Sequence, residues 1–293
     1  MVGYCRTELL INDKPYIMSY FKLSEQQINA FNKDGYLIVR GGLTGEETIK
    51  LSGIALNDEI IKKNALDLND SSGRKTRLTS WYTPGNDAYG LLTKSRRIIE
   101  SVDKLLDGEA PVCHFHSKLM QKEPKVGGAW EWHQDYGYWY KNEFLFPDQM
   151  ISVMIAITDA NKQNGCLQVI KGSHKMGRVE HGFSGEQVGA AQHYVDLALK
   201  TMELVYVELK AGDALFFHSN ILHRSAANLS DTARWSLISC YNRASNRAYN
   251  EASLSHITPI EMVPDEALLE WDGETIASNV DFVGKEHVHK AEI

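Results

Sequence analysis

Cysteine is scarce in this sequence. Four cysteines occur among 293 residues, they lie far apart, and no C-x-x-C motif is present. This spacing argues against both a disulfide framework and a cysteine zinc site. We expect Cys5, Cys113, Cys166 and Cys240 to be free thiols, as in a reducing, cytoplasmic compartment.

Long apolar runs are also missing. The longest, MISVMIAI beginning at Met150, has the length of a strand, whereas a membrane helix needs roughly 18 or more apolar residues. The opening segment is interrupted by Asp13, Lys14 and Pro15, where a signal peptide would continue its apolar region. We therefore predict neither a membrane span nor a signal peptide.

Positive charge is not in excess either. The 31 Lys and Arg residues are outnumbered by 38 Asp and Glu, which gives a formal net charge of −7. Nucleic-acid-binding domains usually carry a basic face, so we expect no nucleic-acid partner. The apolar share of 43% and the charged share of 24% are ordinary for a globular protein that buries its own core.

The first part of the chain, from about residue 20 to residue 110, has the pattern of helices. Ser24 with Gln27 and Thr44 with Glu47 form capping boxes, each of which predicts the start of a helix. The amphipathic segment SRRIIESVDKLLDG predicts a third helix. Between these helices, YLIVR predicts a single strand.

A polar, broken segment between residues 64 and 86 interrupts this helical part. It contains glycine and no sustained apolar period, so it predicts a loop. Because loops of this kind often close over binding sites, we interpret its part from Asp67 to Asn86 as a lid.

After Pro111 the pattern changes to many short strands. VCHFHSKLMQ, MISVMIAITD, CLQVI, LVYVELK, ALFFHS and RWSLISCYN are rich in β-branched and aromatic residues, and turn signals separate them. Helices followed by short strands favour a β-sandwich or jelly roll with helices packed outside it. Since no linker or repeat is visible, we predict one domain over residues 1–293, with its β core from about residue 111 to residue 260.

The segment EWHQDYGYW, residues 131–139, contains the motif His133-Gln134-Asp135. Residues two apart in a strand point to the same side, so His133 and Asp135 satisfy the parity of a ligand pair. Two imidazoles and one carboxylate on one face are typical of non-haem Fe(II), and they leave positions open for a co-substrate and O2. Because H-x-D is common by chance, the motif needs a third ligand from a later strand.

Two later histidines compete for that position. His218 stands at the end of the predicted strand ALFFHS, and His223 follows five residues later. The residues alone do not choose between them. A different, cupin-like metal pair is offered by His114 and His116, which would share one face of a regular strand with Lys118.

Several segments together resemble the phytanoyl-CoA dioxygenase (PhyH) family of Fe(II)/2-oxoglutarate oxygenases, and within it the ectoine-hydroxylase-like branch. The family pattern is H-x-D, a distant H, an R eleven residues later and then an S, which corresponds here to His133, Asp135, His223, Arg234 and Ser236. NGCLQVIKGSH, GDALFFHSNILH and KDGYLIVRGGLT also match the family's characteristic segments. The resemblance covers most of the chain and implies a double-stranded β-helix, the cupin-like jelly roll, as its core.

The resemblance also implies roles for individual residues. It makes His133, Asp135 and His223 the catalytic metal ligands and leaves His218 a supporting or structural role. Arg234 would bind the distal carboxylate of 2-oxoglutarate, a role that suits its planar, two-pronged donor set. Further co-substrate positions would be Ser225, Ser236, Lys118 and His174, and substrate positions would be Trp139, Trp130, Tyr136 and His116.

The implied activity is a 2-oxoglutarate-dependent dioxygenase that uses Fe(II) and O2. It would hydroxylate an aliphatic C–H bond of a small molecule and release succinate and CO2. Asp135 favours hydroxylation over halogenation, because halogenating relatives carry a small residue there. Desaturation, ring closure and epoxidation at the same iron site stay open, as does a jelly-roll metal-binding protein without 2-oxoglutarate turnover.

The sequence argues against ectoine itself as the substrate. HQDYGYWYKNEFLFPDQM lacks the acidic and histidine pattern that ectoine hydroxylases carry around this motif. No glycine-rich loop precedes a helix to bind the phosphates of an acyl-CoA. We therefore expect a free small molecule, zwitterionic or cationic, held by the aromatic residues near the motif.

Overall fold

A computed structural model describes residues 22–248, 256–276 and 281–284 of the chain. Its α-helices are α1 Glu25–Asp34, α2 Gly45–Asn57, α3 Glu59–Lys63, α4 Ala88–Thr93, α5 Arg96–Leu105, α6 Asp135–Trp139, α7 Gln192–Thr201 and α8 Ala267–Glu270. Its strands are β1 Tyr36–Val39, β2 Leu66–Asn69, β3 Lys75–Trp81, β4 Val112–Lys122, β5 Trp130–His133, β6 Met150–Ala156, β7 Leu167–Ile170, β8 His181–Ser184, β9 Gln187–Ala190, β10 Leu204–Val207, β11 Ala214–His218, β12 His223–Ser225, β13 Arg234–Arg243 and β14 Thr258–Pro259.

Two antiparallel sheets form the centre of the fold. The larger has the strand order β1-β11-β6-β13-β4-β3-β2, with β14 added beside β4, and the smaller has the order β10-β7-β12-β5. Strands β8 and β9 form a separate hairpin. Neighbours that are distant in the sequence, such as β6 and β13, are typical of a jelly roll, and the predicted fold class is confirmed.

Strand alternation separates two apolar clusters. On β13, Leu237 and Tyr241 join a cluster with residues of α1, α2 and α5, so this side of the large sheet is covered by helices. Ile238 and Cys240 join a second cluster with residues of β7 and β10, which therefore lies between the two sheets. The inner face of β13 also carries Arg234, because it shares the parity of Ile238.

Both predicted capping boxes are present at the helix starts. The backbone N–H of Gln27 donates to Ser24 Oγ at 3.3 Å, and the backbone N–H of Glu47 donates to Thr44 Oγ1 at 3.2 Å. Helix α1 ends at Gly35 with φ 82°, a left-handed conformation that favours glycine. A Cβ on Gly35 would also lie 2.4 Å from Nδ1 of His174, so this turn requires glycine for two reasons.

The prediction of a loop between residues 64 and 86, interpreted in part as a lid, is wrong for Leu66–Asn69 and Lys75–Trp81, which are strands. Strands β2 and β3 occupy this segment and extend the large sheet through pairing of β3 with β4. Leu68 and Leu78 are buried in the inner cluster. The side chain of Asp70 closes the hairpin by accepting from the backbone N–H of Ser72 and of Arg74. The first part of the chain is therefore helical only in part.

The predictions of free thiols and of no membrane span concern mainly residues that the structure describes. Cys113, Cys166 and Cys240 are buried free thiols, as expected, whereas Cys5 lies outside the described residues. None of the helices in the described segments is long and apolar enough to cross a membrane.

A buried ion cluster joins the helical layer. Arg97 of α5 donates to the carboxylate of Glu47 and to the carbonyl oxygen of Gly42 at 3.0 Å. Its backbone N–H donates to Asp265 Oδ1 at 2.9 Å. Arg97, Glu47 and Asp265 are all at least nine-tenths buried, so none of these charges is compensated by water.

We expect Arg97→Met to lower the free energy of unfolding by about 3 kcal/mol, because Glu47 would be left as an unpaired buried charge. Urea denaturation measures this value. The neighbouring Arg96 is exposed, so Arg96→Met should change it by less than about 0.5 kcal/mol. Equal losses in the two variants would contradict a stabilising role for the buried cluster.

Candidate metal centre

Three side chains converge at one end of the small sheet. His133 is the last residue of β5, Asp135 begins α6, and His223 begins β12. Strands β5 and β12 are antiparallel neighbours, and His133 is paired with His223. The Oδ1 atom of Asp135 lies 3.6 Å from Nε2 of His133 and 3.8 Å from Nε2 of His223. All three residues are buried.

The parity argument for His133 and Asp135 assumed a continuing strand, but the chain changes to helix between them. The backbone of Gln134 is extended, with φ −109° and ψ 134°, and Asp135 is in the first turn of α6. The turn brings the carboxylate back toward both imidazoles. The sequence therefore predicted correctly that His133 and Asp135 lie close together. The strand alternation used for that prediction, however, ends at Gln134.

Both imidazoles are oriented by backbone carbonyl groups. Nδ1 of His133 lies 2.8 Å from the carbonyl oxygen of Glu131, and Nδ1 of His223 lies 3.0 Å from that of Ile221. These contacts place the ring proton on Nδ1 and leave the Nε2 lone pair directed toward Asp135. An imidazole with a free Nε2 lone pair is the form that coordinates metal ions.

The carboxylate of Asp135 is oriented from the other side by Ser152 of β6. Ser152 Oγ donates to Asp135 Oδ2 at 2.6 Å, so Oδ1 alone faces the two imidazoles. Burial would raise the pKa of Asp135, but the neighbouring His223 and His133 outweigh burial and lower it. Asp135 is therefore an anion with one free oxygen.

The electrostatics of this cluster fit a divalent cation. Burial lowers the pKa of His223 to about 3, so its imidazole is neutral near pH 7. Two imidazole nitrogens and one carboxylate oxygen form the three-ligand face typical of non-haem Fe(II). Within the part of the chain that is described, this is the one group of His, Cys, Asp and Glu close enough to hold a metal ion.

His218 lies outside this cluster. Its Nε2 is 3.0 Å from Oδ1 of Asp148, and its Nδ1 accepts from the backbone N–H of Asn220 at 3.0 Å. The structure thus brings His223, and not His218, beside the H-x-D motif. Both imidazole nitrogens of His218 are used in fixing the turn after β11, which is a structural role.

The alternative metal pair of His114 and His116 is not formed. A bulge in the pairing of β13 with β4 places Cys240 opposite His116 and Tyr241 opposite His114, so Phe115 is the extra residue. His114 consequently faces the helical layer, where its Nε2 lies 2.8 Å from Ser117 Oγ. His116 faces the inner cluster beside Trp139. The prediction that the two histidines share one face is wrong because the bulge reverses the alternation.

A narrow pocket adjoins the metal cluster. Its lining includes His133, His223, Arg234, Ser225, Lys118 and Trp130. The structure thus brings four of the predicted co-substrate and substrate residues to the two histidines. The ammonium group of Lys118 lies 5.9 Å from the ring centre of Trp130, a cation–π distance.

Arg234 is a buried cation without a carboxylate partner among the described residues. It is 4% exposed, Nη1 donates to the carbonyl oxygen of Gly165, and Nε has no hydrogen-bond partner. Burial lowers its pKa to about 10, so the guanidinium keeps its charge near pH 7. Burying an uncompensated charge is costly, and an anionic ligand entering the pocket would offset that cost.

His174 does not lie in this pocket. The turn Ser173–Met176 packs its ring against Gly35, and Nε2 lies 3.2 Å from the carbonyl oxygen of Asn32. His174 lines a second cavity of about 510 Å³ together with His218 and Asp148. The predicted co-substrate role of His174 thus concerns a residue that lines the second cavity and not the pocket beside His133 and His223. Ser236 is buried on the inner side of β13, and its Oγ has no hydrogen-bond partner.

The aromatic residues after the motif take different positions. Trp130 lines the narrow pocket. Trp139 packs edge-on against Phe115 and His116, with ring centres 5.5 Å and 5.8 Å away. Tyr136 is buried, and its hydroxyl donates to the carbonyl oxygen of Phe144 at 2.9 Å. Tyr136 is therefore part of the core, whereas Trp139 borders His116.

Three residues that orient the site were missed at the sequence level: Ser152, Gln134 and His181. Ser152 is the one hydroxyl within the apolar run MISVMIAI, and that isolation was a usable signal. Gln134 and His181 had no such signal, because their role depends on loops that meet only in the folded chain. The backbone N–H of Gln134 donates to His181 Nε2 at 3.0 Å.

We expect Ser152→Ala to weaken Fe(II) binding by about 10- to 100-fold, because Asp135 would lose the hydrogen bond that orients it. Anaerobic titration with Fe(II), followed by quenching of tryptophan fluorescence, measures the dissociation constant. Ser101→Ala is a matched control, since Ser101 is equally buried but donates to the carbonyl oxygen of Arg97 in α5. Unchanged Fe(II) affinity in Ser152→Ala would show that Asp135 needs no such support.

Comparison with known proteins agrees with this geometry. The family model Phytanoyl-CoA dioxygenase (PhyH) matches residues 31–236. L-Proline trans-4-hydroxylase of Streptomyces griseoviridis is 29% identical over 170 residues, which cover 53% of this chain and 63% of that protein. Ectoine dioxygenase of Halomonas elongata is 25% identical over 262 residues, which cover 84% of this chain and 78% of that protein.

Solved structures support the same fold. EctD from S. alaskensis with bound Fe superposes with a TM-score of 0.67 at 20% identity, covering 87% of this chain and 90% of that one. The epimerase SnoN, in complex with Fe3+, alpha ketoglutarate and nogalamycin RO, superposes with a TM-score of 0.64 at 20% identity, covering 82% and 96%. The predicted enzyme class, a 2-oxoglutarate-dependent dioxygenase, is confirmed at the level of the family. The chain belongs to the phytanoyl-CoA dioxygenase (PhyH) family.

Proposed function

We propose that this protein is an Fe(II)- and 2-oxoglutarate-dependent dioxygenase that hydroxylates a small molecule. One observation carries the proposal: Arg234, a buried guanidinium that no carboxylate of the described segments contacts, opens into the same pocket as two buried histidines beside a carboxylate. A bare metal-binding protein has no use for such an arginine. A dicarboxylate could chelate the metal ion with one end and bind Arg234 with the carboxylate at its other end.

Each residue then has a defined task. His133, Asp135 and His223 would hold the metal through the Nε2, Oδ1 and Nε2 atoms that face one another. Bound Fe(II) supplies the chemistry in which 2-oxoglutarate, O2 and a C–H substrate become succinate, CO2 and a hydroxylated product. The other side chains bind and orient the reactants and exclude water from the site.

Co-substrate binding involves the walls of the narrow pocket. Arg234 would bind the distal carboxylate of 2-oxoglutarate through charge-assisted hydrogen bonds, and the hydroxyl group of Ser225 would add a donor from the pocket wall. Ser236, two residues after Arg234 on the same face of β13, would add a donor from behind the lining. Lys118 places a second positive charge in the same pocket. The apolar side chains of Met120 and Leu167 line it as well and limit the entry of water.

The substrate is proposed to lie on the side of His116 and Trp139. Burial lowers the pKa of His116 to about 3, so a neutral imidazole faces this region. No described residue forms a hydrogen bond with His116, which leaves both ring nitrogens for a ligand. The relatives named above act on L-proline and on ectoine, which are small zwitterions, and this supports a free zwitterionic substrate here.

Turnover of 2-oxoglutarate is the test of this function. Anaerobic protein mixed with Fe(II) and 2-oxoglutarate should develop a weak visible absorption band, and exposure to O2 should then produce succinate. A panel of cyclic and acyclic amino acids should contain compounds that raise succinate formation and gain the mass of one oxygen atom. Loss of two hydrogens instead would indicate desaturation or ring closure, and absence of succinate from the folded, metal-loaded protein would refute the proposal.

We expect Arg234→Leu to raise the dissociation constant for 2-oxoglutarate by about 10- to 100-fold, because charge-assisted hydrogen bonds contribute about 1.5–3 kcal/mol. Fe(II) binding should persist in this variant, whereas His133→Ala should abolish it. The absorption band, titrated with 2-oxoglutarate, measures both effects.

Arg243→Leu is the matched control for this prediction. Arg243 ends the same strand, is equally buried, and binds Asp103 and the carbonyl oxygen of Leu106. Its removal should destabilise the fold without changing the affinity for 2-oxoglutarate. Similar affinities for 2-oxoglutarate in the two variants would contradict the assigned role of Arg234.

A further inference from the structure

The middle residue of the H-x-D motif, Gln134, uses every polar atom of its side chain. Nε2 donates to the carbonyl oxygens of Gly177 and Asn220, both at 2.8 Å. Oε1 accepts from the backbone N–H of Val179 at 2.8 Å. The residue is fully buried. A primary amide has two donor hydrogens, and here both are used by backbone carbonyls from different segments.

These contacts join the two segments that carry the metal ligands. His133 and Asp135 flank Gln134 on one segment, and Asn220 belongs to the turn that leads into His223. The backbone N–H of Tyr136 donates to the carbonyl oxygen of Ser219 at 2.9 Å, which connects the same two segments a second time. The segment from Gly177 to His181 is bound to Gln134 from the third side.

Regular strand pairing does not fix this corner. Pairing of β5 with β12 ends at His133 and His223, and α6 begins immediately afterwards. Asp135 and the residues before His223 therefore lie beyond the β5–β12 ladder, although Leu222 still accepts a hydrogen bond from the backbone N–H of Ile170 at 2.9 Å. The side chain of Gln134, which points away from His133 and Asp135, connects this corner to the turn before His223.

We propose that Gln134 is a positioning residue that fixes the distance between the H-x-D corner and the turn preceding His223, so that the three ligands are spaced for a metal ion before it binds. The proposal rests on the proposed metal site. Glutamine suits the position because glutamate lacks the two donors and asparagine is too short to span both carbonyls. The side chain touches neither metal nor substrate, so its effect is transmitted through backbone.

The test is Gln134→Met, which keeps the length of the side chain and removes all three hydrogen bonds. Co(II) is the probe, because it resists oxidation and can be titrated in competition with a fluorescent chelator. We expect the dissociation constant for Co(II) to rise by about 10- to 100-fold, the range for residues that support metal ligands. The thermal shift produced by saturating Co(II) should fall accordingly.

Gln187→Met is the matched control. Gln187 is as buried as Gln134, accepts from the backbone N–H of Glu131 at 2.9 Å and donates to the carbonyl oxygen of Ala129 at 3.0 Å. It thus supports the beginning of β5, whereas Gln134 supports the corner after its end. In the absence of metal, both variants should have a lower melting temperature than the wild-type protein. Only Gln134→Met should bind Co(II) more weakly.

The outcomes distinguish failure of the role proposed for Gln134 from failure of the metal site itself. A Co(II) affinity within about threefold of wild type in Gln134→Met, or an equal loss in Gln187→Met, would overturn the role of Gln134. If Gln134→Met does not fold, Gln134→Asn decides by the same criterion, because it keeps an amide that reaches one carbonyl only. Absence of Co(II) binding by the wild-type protein would instead refute the metal site itself.

Discussion

The pairing of β12 with β5 is the constraint on which the site depends. It sets His223 opposite His133, with ring centres 4.0 Å apart. A slip of one residue would turn one imidazole to the other face of the sheet, because side chains alternate along a strand. Strand β7 lies on the other side of β12 and pairs His223 with Val169, so the register is held from both edges. The close approach of the two imidazoles is therefore a property of the sheet itself.

The pocket beside this pair concentrates positive charge. Arg234 is paired across the strands with Lys122, which is also fully buried. Lys122 donates to the carbonyl oxygens of Gly128 and Ala226, and burial holds its pKa well below the usual range. The guanidinium of Arg234, with a pKa of about 10, keeps its charge near pH 7. Arg234 and Lys118 both line the pocket, whereas Lys122 is held by carbonyl oxygens behind it, and two cations in the lining suit an anionic ligand there.

Local signals in the sequence predicted much of the fold and part of the site. The capping box at Ser24 depends on residues three apart, and the strands depend on composition over a few residues, so both could be predicted. The choice of His223 over His218 depended on family resemblance, because the two differ only in which of them meets β5. The prediction that His114 shares a face with His116 was wrong because a β-bulge inserts one extra residue, and the sequence pattern does not reveal such an insertion. The position of His174 beside Gly35 could not be predicted, because the two residues are distant in the sequence and meet only in the folded chain.

The carboxylate of Asp135 connects the two sheets at the metal centre. Strand β5 ends at His133, Gln134 is still extended, and α6 begins at Asp135. At this corner the Oδ1 atom of Asp135 lies within 3.8 Å of both imidazole nitrogens. The same turn directs Oδ2 at Ser152 of the large sheet. The small sheet thus supplies the histidines and the large sheet orients the carboxylate, so the centre forms only when the two sheets are packed together.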